Sequence, residues 1–156
     1  FTAGGLDDAE FFISTNPGEP LRPLMKIASG GELSRIMLAV KTVLADKDDI
    51  DTVIFDEIDT GISGRTAQKV SEKMMLIGKN RQVICITHLA QIAAMADSHF
   101  RIEKQVKEGE TKTQVRRLNE KESIEELARI LGGAAITDAV IKNAEEMKRL
   151  AEAKKC

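Results

Sequence analysis

Two acidic residues, Asp56 and Glu57, follow directly on the apolar run Thr52-Val53-Ile54-Phe55, and a second apolar run ends at Thr87 and delivers His88. An apolar strand ending in Asp-Glu is one way that nucleotide hydrolases hold magnesium. The Asp is a hard oxygen ligand for Mg2+, directly or through water. A neighbouring Glu can orient or deprotonate the attacking water. If the two runs are parallel strands of one sheet, their C-terminal ends share the edge at which open α/β sheets bind ligands. Asp56, Glu57, Thr87 and His88 would then face one crevice. Each taken singly has a plainer reading: the carboxylates as loop charges ahead of the next helix, the imidazole as a capping or hydrogen-bonded group. Their joint placement favours chemistry.

A second constellation is Ser29-Gly30-Gly31-Glu32, which precedes a helical pattern with Leu33, Ile36, Met37, Val40 and Leu44 on one face. Ser29 and Glu32 are spaced as a capping box. That explains neither glycine, each of which costs roughly 1 kcal/mol against Ala in a helix interior. Their advantage is a bare backbone. Unpaired N–H groups at a helix N-terminus can touch a large anion, and the helix dipole favours its charge. The glycines therefore suggest a phosphate-binding helix start, with the Ser29 hydroxyl as a further donor. The Lys-bearing phosphate loop G-x-x-x-x-G-K-S/T does not occur. Gly78-Lys79 is followed by Asn80 and has Lys73 where the first Gly should stand.

The elements that must position these groups can be read from periodicity and punctuation. Glu10 to Thr15 reads as a short strand and Asn16-Pro17-Gly18 as a turn. The glycine-led helix is expected from Leu33 to about Ala45, with a charged loop over Asp46 to Asp49. Thr52 to Phe55 and Gln82 to Thr87 read as buried parallel strands. Between them lies a helix capped by Ser63, lined inside by Ala67, Val70, Met74 and Ile77, and ended by Gly78. A helix to about Ala96 follows. Phe100, Ile102 and Val106 then alternate with polar residues, Gly109 marks a turn, and Gln114 to Leu118 returns, as in an antiparallel hairpin with one wet face. Ser123 and Glu126 suggest a capping box for a helix ending at Gly132-Gly133. A last helix is expected from Thr137 to Ala153, along Val140, Ala144, Met147 and Ala151. Strands alternating with helices define an α/β core.

The 156 residues suffice for one domain with a core. Charged residues make up 31% and nearly cancel, leaving a net charge of −2, which argues against a free-standing nucleic-acid binder. The basic residues Lys148, Arg149, Lys154 and Lys155 read as a solvated helix face, and His99 earns no role. Cys85 and Cys156 have no metal or redox spacing, and Cys85 reads as a reduced core thiol of a cytosolic chain. No apolar run approaches the roughly 20 residues of a membrane helix. A first residue of Phe1 suggests a fragment or a processed product.

The glycine-rich helix start, TVIFDE after it and Thr87-His88 at the next strand end together resemble the ABC-type ATPases, which include transporter subunits and the SMC-like chromosome and repair ATPases. FFISTNPGEP, EIDTGISG and ITHLAQIAAMAD are similar to a bacterial DNA-repair branch of that group, and the resemblance covers nearly the whole chain. Transporters usually carry residues nearer to S-A-L-D after Asp-Glu. They also have a helical subdomain ahead of the glycines, where residues 1–28 read as strand and turn.

The resemblance implies a single domain over residues 1–156, the C-terminal half of an ABC-type P-loop ATPase head: a mostly parallel sheet flanked by helices, with a C-terminal β-hairpin and helices. It implies ATP and Mg2+ as cofactors. Ser29, Gly30 and Gly31 would contact the γ-phosphate of ATP held by an opposite subunit. Asp56 would hold Mg2+, Glu57 would position or activate water, and His88 would sense the γ-phosphate. Asp59 would sit on the nucleotide side, in a loop reaching across the dimer. The implied partners are an N-terminal head half carrying the phosphate loop, a second copy joined through ATP-sandwiched heads, and DNA for the full protein, with no membrane. The implied setting is cytoplasmic and nucleoid-associated. Phe1 would lie just past the returning arm of a coiled coil, and the fragment alone would not turn over ATP. Two other readings stay open: a transporter nucleotide-binding subunit, and a non-catalytic interaction module, which substitution of Asp56, Glu57 or His88 would favour.

Overall fold

The computed structural model describes residues 5–6, 9–14, 17–26, 29–44, 49–107, 110–133 and 135–155. The N-terminal strand is shorter than expected: β1 (Phe12–Ile13) pairs antiparallel with β2 (Arg22–Pro23), and a single 3-10 turn follows. Thr15 and Asn16 of the expected strand and turn lie outside the described residues, as do Ala45, the loop residues 46–48, Gly109 and Cys156.

Helix α1 (Gly30–Val43) begins three residues earlier than its apolar pattern, because Ser29 caps it by accepting from the Glu32 backbone N–H at 3.3 Å. The glycines are thus its first two helical residues. Its expected inner face is not inside: Leu33, Met37, Val40 and Leu44 are all exposed, and Leu38 is the buried side chain.

Strand β3 (Thr52–Phe55), helix α2 (Gly64–Gly78) and strand β4 (Gln82–Cys85) form the β-α-β unit, and the strands are parallel with Phe55 opposite Cys85. Ala67, Val70, Met74 and Ile77 are buried as expected, and pack with Leu38, Phe55, Ile58 and Ile92 in one core cluster. Ser63 stands at the N-cap of α2 without a side-chain bond to it. The strands are covered on one face only: Val53, Phe55, Val83 and Cys85 turn to the core, while Ile54, Ile84 and Ile86 are exposed. This corrects the expectation of strands buried on both faces. Burial still pushes the Cys85 thiol up to about 12, so it stays protonated at neutral pH.

The helix after His88, α3 (Ala90–Ala93), is a single turn and does not reach Ala96. The hairpin forms as read, with β5 (Phe100–Lys107) antiparallel to β6 (Glu110–Arg117) and Phe100 opposite Arg117. Its apolar side chains Phe100, Ile102, Val106 and Val115 are exposed, so it has no dry face of its own.

Helix α4 (Glu120–Gly132) is capped one turn before the expected place: Asn119 accepts from Glu122 N at 2.9 Å, and Glu122 accepts from Asn119 N at 2.8 Å. Ser123 and Glu126 are instead buried inside the first turns. Ser123 Oγ lies 2.8 Å from His99 Nδ1, and Glu126 takes a two-bond grip from Arg129 and a second pair from Arg101. Helix α5 (Asp138–Lys155) packs Ala144 and Ala151 against Leu127, Ala128, Ala90 and Ala93 in a second cluster. Its basic residues are not simply solvated. Lys148 donates to the carbonyls of Ala94 and Ala96, Lys155 pairs with Asp97, and Lys154 pairs with Glu72. Among the described residues no helix is long and apolar enough to cross a membrane.

Candidate functional site

The parallel register places the C-terminal ends of β3 and β4 side by side, and Ile86 N donates to Phe55 O at 3.0 Å to extend the pairing past Cys85. Asp56-Glu57 and Thr87-His88 therefore leave the sheet at one edge. Asp56, Glu57 and His88 are all exposed there. Asp56 Oδ1 accepts from the Glu57 backbone N–H at 2.9 Å, which turns the first carboxylate along the chain. Glu57 has φ of 57°, the one described non-glycine residue with positive φ. Such backbone strain is of order 1–3 kcal/mol and persists only where surrounding contacts impose it.

Those contacts come from α1. Ser34 Oγ donates to Asp56 O at 3.0 Å, and Arg35 Nη1 donates to the carbonyls of Ile58 at 3.1 Å and Thr60 at 2.8 Å. The loop after β3 is thus held by the first two turns of the glycine-led helix. The glycines permit this approach. A Cβ on Gly31 would lie 2.9 Å from both Glu57 O and Thr60 O, and one on Gly30 would lie 2.8 Å from Glu57 Oε2. Gly30 and Gly31 have a packing reason within this chain, in addition to the anion reading. Neither Ser34 nor Arg35 stood out in the sequence; a polar residue one turn into an apolar helix was the signal available.

Asp59, expected in a loop on the nucleotide side, lies against the end of the neighbouring strand. It is buried, with 3% of its surface exposed. Its Oδ2 accepts from Thr87 Oγ1 at 2.6 Å and from the His88 backbone N–H at 2.8 Å, and His88 Nδ1 lies 3.0 Å from it. Burial raises the pKa of this carboxyl, but the bonds from Thr87 and His88 outweigh it and hold its pKa below the ordinary value. Thr87 also accepts from Leu89 N at 3.0 Å, which closes the turn into α3.

Among the described residues no three His, Cys, Asp or Glu side chains gather into a metal cage. A lone exposed Asp56 carboxylate suits magnesium, which keeps waters and is commonly held by one or two carboxylates together with substrate phosphates. The space that a Cβ on Gly30 or Gly31 would take is met by the Glu57 carboxylate and by the carbonyls of Glu57 and Thr60, so the side of the glycines that faces this loop is filled by the chain itself. A cleft of about 830 Å³ lies elsewhere, between His99, Leu118, Ser123 and Lys148, and none of the motif residues lines it.

No family model matches the chain. A solved chain from work on ATP-driven dimerization and DNA-stimulated activation of SMC ATPases shares the fold, with a TM-score of 0.51 at 21% identity over 79% of this chain and 81% of that one. That likeness defines the class of fold: an α/β unit of the kind found in that solved chain. DNA repair protein RecN of Halalkalibacterium halodurans is 50% identical over all of this chain, and that of Bacillus subtilis is 48% identical over 97% of it. RecN of Vibrio cholerae is 47% identical over 92%. The chain belongs with the RecN proteins as a C-terminal segment, spanning 28% of the first relative's length and 26% of the other two.

Proposed function

We propose that the chain supplies half of the ATP-binding and hydrolysing head of a RecN-like protein in DNA double-strand-break repair and recombination. The observation that carries this reading is the convergence of Asp56, Glu57 and His88 on one strand edge, with the Ser29-Gly30-Gly31 helix start folded against Glu57. In this reading residues 1–156 form one domain that completes its sheet with an N-terminal half bearing the phosphate loop. Asp56 holds Mg2+ at the nucleotide, and Glu57 orients the attacking water or takes its proton. His88 contacts the γ-phosphate. Ser29, Gly30 and Gly31 offer helix-start N–H groups to the γ-phosphate on a second copy, so that ATP joins two heads and hydrolysis parts them. Catalysis is mainly positioning and charge stabilisation. DNA is a ligand of the whole protein.

The test is magnesium-dependent ATP hydrolysis by this chain alone and mixed with an N-terminal head segment carrying the phosphate loop. The expected result is silence alone, turnover on mixing, and loss of turnover with Glu57→Gln. Turnover by the chain alone that survives Glu57→Gln would overturn the assignment. No turnover in a mixture of folded partners would move the chain to the interaction-module reading.

A further inference from the structure

The Asp59 carboxylate points toward Thr87 and His88. A single oxygen, Oδ2, faces three donor positions: Thr87 Oγ1 at 2.6 Å, His88 N at 2.8 Å and His88 Nδ1 at 3.0 Å. A backbone N–H can only donate, so Oδ2 acts as an acceptor, and the Nδ1 beside it must carry a hydrogen to make its contact. The ring's other nitrogen, Nε2, belongs to a side chain that is 72% exposed at the strand edge. Asp59 itself is aimed by its neighbours. Arg35 Nη1 grips the carbonyls of Ile58 and Thr60, one on each side of Asp59, and Ile62 N donates to Asp59 O at 3.3 Å.

We propose that Asp59 is a positioning residue for His88, holding the imidazole in the Nδ1–H form so that Nε2 is the atom presented to the nucleotide. The inference rests on the reading of His88 as the γ-phosphate contact. A histidine's working nitrogen is selected by the hydrogen bond the other nitrogen makes, and partners that orient a metal-bound histidine in the same way matter by factors of about 10–100. Because Arg35 belongs to the glycine-led helix, the same contacts tie the orientation of His88 to that helix. The helix start that meets one nucleotide and the histidine that meets the other are then linked through the loop of residues 56–60.

Two measurements test this. The ring tautomer can be read by nitrogen-15 NMR, because His88 and His99 are the two histidines in the chain and a His99→Gln variant assigns the signals. Neutral His88 is expected with its proton on Nδ1 in the wild type. It should stay there in Asp59→Asn, which keeps an acceptor oxygen, and shift toward Nε2 in Asp59→Ala. In the full-length protein, Asp59→Ala should lower kcat for ATP by about tenfold or more with KM little changed, and Asp59→Asn should fall between the two. A wild-type His88 protonated on Nε2 overturns the proposal and needs no variant to show it. So does Asp59→Ala with an unchanged tautomer and kcat. A wild-type full-length protein inactive on ATP but carrying Nδ1–H at His88 would overturn the ATPase reading and leave the pairing standing.

Discussion

Gly30 and Gly31 sit side by side, yet their environments predict different outcomes. A Cβ on Gly31 would press on two backbone carbonyls at 2.9 Å and meet Arg35 Nη1 at 3.0 Å. Backbone cannot give way cheaply, so Gly31→Ala should destabilise the chain by about 1–3 kcal/mol, the usual cost of overpacking. On Gly30 the same Cβ meets only the far end of the Glu57 side chain, which can swing aside. Gly30→Ala should therefore leave the urea midpoint within the range that the gain in helix propensity allows, roughly 1 kcal/mol, while altering ATP turnover of the complete head. Equal midpoints for the two variants would mean that the α1 contact with the Glu57–Thr60 loop is not as close as it stands here. The sequence made the anion reading of these glycines visible but not the packing one. Repulsion from a carbonyl more than twenty residues away leaves no trace in local spacing. The partners of Asp59 were hidden for the same reason: Thr87 and His88 lie at the end of the neighbouring strand, and only the parallel register brings them to it.

At the scale of elements, local signals were legible where they were self-contained. The α2 face Ala67, Val70, Met74 and Ile77 repeats at helical spacing and is buried. The alternation of Phe100, Ile102 and Val106 with polar residues marked the hairpin, while its register, with Phe100 opposite Arg117, came from the structure. The α4 start was misread because two polar pairs compete for it at the same spacing. Asn119 with Glu122 and Ser123 with Glu126 are both cap-like, and the structure uses the earlier one. That frees Ser123 to meet His99, which joins the residue just ahead of the hairpin to α4. Burial lowers the His99 pKa, with Lys148 acting in the same direction and Glu126 opposing. A folded-state value below the unfolded one means that the unfolded chain binds the proton more readily. The corresponding stability is complete above the ordinary histidine value of about 6.5 and is lost as pH falls below it. Unfolding midpoints followed from pH 7.5 to 5 should therefore drop, and His99→Gln should flatten that drop. An unchanged slope in the variant would remove His99 as its cause.

Among the described residues, the parallel sheet has a face without a cover. Parallel strands normally lie buried on both sides, yet Ile54 is 65%, Ile84 43% and Ile86 49% exposed on the side away from α2. The buried residue Phe55 alternates with Ile54 on the same strand, so the two faces can be compared within one element. The proposed N-terminal half is the occupant that would complete such a sheet, and the chain's short span of its relatives leaves ample sequence to supply it. Ile54→Lys should then change the chain's own stability by no more than about 0.5 kcal/mol, as exposed substitutions usually do, while abolishing co-elution with the N-terminal half. Phe55→Ala should do the reverse of the first part and cost about 3–5 kcal/mol in the isolated chain. Size-exclusion chromatography of the mixed halves and urea unfolding of the chain alone measure both effects. An Ile54→Lys chain that still co-elutes would place the N-terminal half on another surface. One that unfolds as readily as Phe55→Ala would show that the chain covers this face itself.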